Sequence, residues 1–124
     1  MNAFWIACRC GHGKVAHVLA EKGIDIYNAD LNLNNALHIA ARYQELYGVL
    51  KMLVDSDYDL DIQNIDGDTA THLAAALGNL QNLQELVEAD SDIDTLNNHS
   101  FSPLYLALLN KHHDCAEYLI KEGA

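Results

Sequence analysis

The sequence predicts an all-α solenoid, a stack of similar helix–turn–helix units. Three observations carry that expectation. Four stretches superimpose: Asn2-Ala3-Phe4-Trp5-Ile6-Ala7, Asn35-Ala36-Leu37-His38-Ile39-Ala40, Thr69-Ala70-Thr71-His72-Leu73-Ala74 and Ser102-Pro103-Leu104-Tyr105-Leu106-Ala107. They begin 33, 34 and 33 residues apart. Each opens on Asn, Thr or Ser, residues whose side-chain oxygen accepts from an orphan N–H at a helix start. Each is followed by a second apolar stretch with spacings of mainly three and four, the period of an amphipathic helix. A pair of helices this small cannot bury its apolar face alone, whereas stacked copies can.

Within each unit the elements follow in order. Pro103 follows its cap at the first helical position, where a missing N–H costs nothing. The small residues Ala7, Ala40, Ala41, Ala74, Ala75 and Ala107 let a first helix pack closely against its neighbours. Gly11 and Gly78 are placed to end that helix in a left-handed conformation. The second helix is expected around Val15, Val18 and Leu19; Val49, Leu50, Met52 and Leu53; Leu83, Leu86 and Val87; and Cys115, Tyr118, Leu119 and Ile120. A polar closing block follows: Gly23-Ile24-Asp25-Ile26, Asp57-Tyr58-Asp59-Leu60, Asp90-Ser91-Asp92-Ile93 and the shortened Gly123-Ala124. The extra residue of the second unit falls between Ala41 and Val49, near the turn between its helices. A single domain over residues 1–124 results, with repeats 2–34, 35–68, 69–101 and 102–124.

Composition bounds the function. The chain has 124 residues, half of them apolar, 7 Lys+Arg against 18 Asp+Glu, and a net charge of −11. That is too apolar for a disordered segment and suits one domain. No apolar run approaches the ~20 residues that span a bilayer, and no signal peptide is visible. The acidic balance argues against nucleic acid and against an anionic membrane surface. Three cysteines, Cys8, Cys10 and Cys115, are not a disulfide framework, and free thiols suit an intracellular compartment, cytoplasmic or nuclear.

The repeats resemble the ankyrin repeat family, over essentially the whole chain. The resemblance implies two helices and a β-hairpin-like finger loop per repeat, an L-shaped cross-section, and a concave face of finger tips and first helices. It also implies a non-catalytic scaffold that binds another protein, with no cofactor, as a monomer. Carried over residue by residue, the family's contact positions fall on Arg9 and Cys10 in the first repeat. In the second they fall on Leu31, Asn32, Asn34, Arg42 and Tyr43. In the third they are Ile65, Asp66, Asp68, Ala76 and Leu77, and in the fourth Asn98, His99, Phe101, Leu109 and Asn110. Leu31, Tyr43, Ile65, Leu77, Phe101 and Leu109 are apolar where exposure is expected. Either adjacent fingers pack on them, or they form a strip of binding hot spots with Tyr43 and Phe101 as anchors.

Departures from the family pattern are informative. Asp57 and Asp90 stand where Gly is preferred after the second helix, Leu33 replaces a finger Gly, and Glu85 replaces a Leu. Neither end shows a polar capping repeat, which fits either a segment of a longer array or degenerate terminal repeats.

Other chemistry is weaker. Cys8, Cys10, His12 and His17 invite a zinc reading, but Cys8 belongs to the core column and Cys10 points elsewhere, so four converging ligands are not expected. His112, His113 and Cys115 are read likewise. His38 and His72 recur at the fourth motif position, where the resemblance implies a structural hydrogen bond rather than catalysis. The run Asp55-Ser56-Asp57-Tyr58-Asp59-Leu60-Asp61 lacks the central Gly and the Glu of a calcium loop.

Charge is the sharpest signal apart from the repeat. Residues 52–110 contain 11 acidic residues and no Lys or Arg, and so carry the whole net charge. Stacking should align Asp25, Asp59 and Asp92 in one column, and Asp61 and Asp94 in another. Two readings stand: a solvated surface that maintains solubility, or a docking edge for a basic segment.

Overall fold

A computed structural model of the chain describes residues 36–55 and 59–124. Three helix pairs follow one another there. They are α1 (Ala36–Arg42) and α2 (Tyr47–Val54), α3 (Ala70–Leu77) and α4 (Leu80–Glu88), and α5 (Pro103–Leu109) and α6 (His113–Lys121). First helices pack side by side in the order α1, α3, α5, and second helices in the order α2, α4, α6. The described residues contain no strand; the fingers are loops closed by backbone hydrogen bonds.

The caps form as the sequence predicts. Thr69 Oγ1 accepts from the His72 N–H at 3.3 Å, and Ser102 Oγ accepts from the Tyr105 N–H at 3.1 Å. Pro103 takes the first turn of α5. The expected caps Asn2 and Asn35 lie outside the described residues, as do Asp57 and Leu33. The extra residue of the second repeat is absorbed by a 3₁₀ turn, Gln44–Leu46, between α1 and α2.

The turns that end the helices repeat atom for atom. After α3, the Gly78 N–H reaches the Ala75 carbonyl and the Asn79 N–H reaches the Ala74 carbonyl, at 3.3 and 3.0 Å. After α5, Lys111 reaches Leu108 and His112 reaches Ala107, at 3.1 and 2.8 Å. Asp90 and Ser91 close α4 by the same pattern, and Gly123 and Ala124 close α6. This double bond satisfies carbonyls that a helix end would otherwise leave orphaned, and it requires a left-handed residue. Gly78, Lys111, Asp90 and Gly123 have φ of 75°, 63°, 67° and 101°. Left-handed Asp90 is therefore as the repeat register predicts. Lys111 was not anticipated, although it lies 33 residues after Gly78. Asp90→Gly is expected to stabilise the fold by about 0.5–1 kcal/mol, because Gly adopts φ > 0 without a Cβ penalty. A raised melting temperature checks this.

The core lies between the two rows of helices. Ala40, Ala41, Ala74, Ala75 and Ala107 are fully buried, so the first helices approach closely at positions without bulk. Leu46, Leu50, Leu53, Leu83, Leu86 and Leu119 are also fully buried. Burying each such leucine is worth roughly 1.5–3 kcal/mol relative to leaving it exposed. The core also holds two amides. Asn79 Nδ2 donates to the Ala41 carbonyl at 3.0 Å, and Asn82 Nδ2 faces the carbonyls of Ala40, Ala41 and Tyr43 at 3.2–3.4 Å. These amides from α4 and its leading turn satisfy the carbonyls at the end of α1, which the irregular 3₁₀ turn leaves open.

Candidate protein-binding face

The finger loops are built by two asparagines 33 residues apart. Asn64 Oδ1 accepts from the N–H groups of Asp66 and Asp68, both at 3.0 Å. Asn97 Oδ1 accepts from His99 and Phe101, at 2.9 and 3.0 Å. The Asn64 and Asn97 N–H groups close the loops onto the carbonyls of Asp68 and Phe101. Gly67 and Ser100, both left-handed, occupy equivalent places in the two loops.

Those same carbonyls receive the histidines of the preceding layer. His38 Nε2 donates to the Asp68 carbonyl at 2.9 Å, and His72 Nε2 donates to the Phe101 carbonyl at 3.0 Å. His72 Nδ1 accepts from the Thr69 N–H at 3.1 Å. A ring that accepts at Nδ1 and donates at Nε2 is a neutral imidazole in a single tautomer. Burial pushes the His72 pKa below its ordinary value, against the raising effect of the Phe101 carbonyl and of Asp68. The recurrent histidine is thus structural, binding each first helix to the next finger.

Neighbouring fingers are stitched together. The Asn98 N–H donates to the Asp66 carbonyl at 3.0 Å, and Asn98 Nδ2 donates to the Ile65 carbonyl at 2.8 Å. Asn97 Nδ2 donates to Asp68 Oδ1 at 2.9 Å. Asp61 Oδ1 accepts from the Asp92 N–H at 2.9 Å, while Asp59 and Asp92 each accept from the N–H two residues on. Part of the acidic surface therefore organises the loops. The Asp66 carboxylate is different: it is exposed and has no hydrogen-bond partner among the described residues.

Helix geometry defines the open stripe. On α3, Ala70, Thr71, His72, Ala74 and Ala75 are buried, while Leu73 and Ala76 are half-buried and Leu77 is 48% exposed. Positions 73, 76 and 77 share one face, at spacings of three and four. On α5 the same stripe carries half-buried Leu106, Leu109 at 56% exposure, and exposed Asn110. On α1 and just beyond it are buried Ile39, exposed Arg42 and half-buried Tyr43. Ile65 is 53% exposed at its finger tip, and Asn98 and His99 are exposed on the next.

The sequence-predicted residues thus separate into groups. Ile65, Asp66, Asp68, Asn98, His99 and Phe101 come together across two fingers. Leu77, Leu109 and Asn110 stand at the ends of adjacent helices. Arg9, Leu31, Asn32 and Asn34 lie outside the described residues, as do Cys8, Cys10, His12 and His17. The two expected aromatic anchors are partly engaged within the molecule. Tyr43 packs against the core. Phe101 is half-buried, with its ring stacked on Tyr105 at 4.4 Å and tilted against His99 at 5.7 Å. Tyr105, 46% exposed, was missed; its signal is its place 33 residues after His72.

Among the described residues no group of three His, Cys, Asp or Glu side chains is placed to hold a metal. Cys115 is fully buried, and burial, with Asp114 beside it, pushes its thiol up to about 12, leaving it protonated and unreactive. No helix among the described residues is long and apolar enough to cross a membrane.

Stacked helix pairs, with finger loops tied to the preceding layer's histidine, define an ankyrin-type solenoid. A family model described as ankyrin repeats (3 copies) matches residues 1–63 and again residues 37–124. The chain belongs to the ankyrin repeat family, whose members are protein–protein interaction modules and are generally non-catalytic. It is 31% identical over 80 residues to the human Notch-regulated ankyrin repeat-containing protein, covering 64% of this chain and 70% of that protein. It is 28% identical over 124 residues to the NF-kappa-B inhibitor cactus of Drosophila melanogaster, covering 98% of this chain and 24% of that one. It is 30% identical over 112 residues to alpha-latrocrustotoxin-Lt1a of Latrodectus tredecimguttatus, 89% of this chain but 8% of the toxin's length.

Proposed function

We propose that the chain is a non-catalytic scaffold that holds another protein against its fingers and first helices, and that its acidic edge favours a basic segment. The observation that carries this reading is the open stripe of α3 and α5. Leucines 48% and 56% exposed stand in adjacent layers, with the unpartnered Asp66 carboxylate on the finger beside them. Exposed large apolar side chains in a row are what a partner covers, and carboxylates around them steer a cationic partner and make its binding salt-sensitive. The whole of residues 1–124 acts as one domain in this reading, as a monomer inside the cell, with no cofactor. A second reading rests on the match to a toxin of which the chain spans 8%: the same face would then serve as a targeting or regulatory module of a larger protein.

The test is affinity capture from a lysate. Because Tyr43 and Phe101 contribute to internal packing, the informative variant is Leu77→Asn/Leu109→Asn. It should lose its partners with about 2 kcal/mol or more of binding energy while its melting temperature stays near that of the parent. Raising the salt should weaken capture by the parent. Retention of the same partners by the double variant would refute the face assignment.

A further inference from the structure

The spacing of the layers restricts what kind of segment can occupy this face. We propose that the partner lies across the layers as an extended polyproline II-type segment, with apolar residues about three positions apart and a lysine or arginine between them. This inference rests on the binding-face reading above and goes beyond it in naming the partner's conformation and sequence pattern.

Two independent lengths agree on the step from layer to layer. First helices that pack side by side lie about 8–10 Å apart. Each finger contributes two paired segments to the row of loops, and two interstrand spacings of about 4.8 Å give nearly the same step. The Asn98 N–H to Asp66 carbonyl bond at 3.0 Å shows that the fingers are in contact at that spacing. Per layer, the stripe offers one compact apolar step: Leu73 with Leu77 on α3, then Leu106 with Leu109 on α5.

A polyproline II segment rises about 3.1 Å per residue and repeats every three residues, so residues three apart point the same way and stand about 9.3 Å apart. That matches one anchor per layer. A flat β-strand turns residues three apart to opposite sides. An α-helix needs seven residues to cover the step, and its apolar stripe carries intermediate anchors about every 5 Å that this face does not meet.

Charge selects the residues between the anchors. From residue 52 to residue 110 the chain has no Lys or Arg, so the third-repeat part of the stripe and its finger present carboxylates and no cation. Asp68 is engaged with Asn97, but Asp66 is exposed and unpartnered among the described residues. A cationic side chain of the partner is complementary to it.

Selection of a random linear peptide library on the folded full chain tests the proposal. The expected outcome is enrichment of peptides with two apolar residues three apart and an intervening Lys or Arg. Their affinity should fall about tenfold in Leu77→Asn/Leu109→Asn, and measurably in Asp66→Asn. Circular dichroism of the exposed-site variants confirms that they fold. Enrichment of apolar residues seven apart, of acidic peptides, or of nothing would overturn the inference. If lysate partners still depend on Leu77 and Leu109 while no such peptide is enriched, the extended-segment inference alone fails. If neither depends on these residues, the binding face itself is wrong.

Discussion

Replacing His72 by alanine is expected to cost about 3 kcal/mol of folding stability, the largest effect of any single substitution considered. The ring is fully buried and makes three contacts in one tautomer. Nδ1 accepts from the Thr69 N–H at 3.1 Å and sits 2.9 Å from the Thr69 hydroxyl, and Nε2 donates to the Phe101 carbonyl at 3.0 Å. The Phe101 carbonyl keeps a second donor, the Asn97 N–H. The Thr69 N–H keeps no acceptor on record, and a buried orphan donor costs about 1–3 kcal/mol. The lost ring volume adds to this. His72→Gln should recover part of the loss, since glutamine at this position can accept from the cap's N–H but is not expected to bridge to the next finger. Urea unfolding measures all three proteins.

The same ring sets a pH dependence. Its folded pKa is lowered by burial, so between that value and the ordinary 6.5 the unfolded chain binds the proton and the folded chain does not. Stability therefore rises with pH through this window; it is fully present above about 6.5 and is lost progressively below. Protonation would also put an N–H on Nδ1 facing the Thr69 N–H. The parent's stability should fall more steeply than that of His72→Gln on acidification below 6.5. Equal slopes in the two proteins would contradict this assignment.

The second large effect is at Gly67. Its φ is 78°, and an added Cβ would stand 2.6 Å from the Asn98 backbone nitrogen and 2.5 Å from Asn98 Oδ1. A left-handed non-glycine residue costs roughly 1–2 kcal/mol, and crowding against a backbone atom adds at least about 1 kcal/mol. Gly67→Ala is expected to destabilise by about 2–3 kcal/mol, again by urea unfolding. Ser100 holds the equivalent place on the next finger with φ of 64°. There the change to glycine should be stabilising, so the two substitutions move stability in opposite directions.

How much of this was legible in the sequence follows from what repeats. Period, caps, close-packed alanines and left-handed Asp90 were legible because each layer reuses the same local solution with residues of matching propensity. Left-handed Ser100 and Lys111 were not, because neither residue type signals φ > 0; only the 33-residue offset from Gly67 and Gly78 does. The roles of Asn64 and Asn97 were hidden in plain turn composition, since what distinguishes them is an Oδ1 held between two backbone N–H groups. Asn79 and Asn82 were invisible because they answer a need created in another layer by the 3₁₀ turn. At the candidate face, the exposure of Ile65, Leu77 and Leu109 followed from register alone. The half-burial of Phe101 did not, because it depends on Tyr105 standing where His72 stands one layer earlier.

The central structural claim is that each layer is locked to the next finger by a neutral histidine donating from Nε2. A long-range proton–nitrogen correlation spectrum of the imidazole side chains at neutral pH reads this directly. Both His38 and His72 should appear as neutral rings with the proton on Nε2, and His72 should resist protonation below 6.5. A proton on Nδ1, or a His72 that titrates as a free imidazole, would contradict the way the layers are held together.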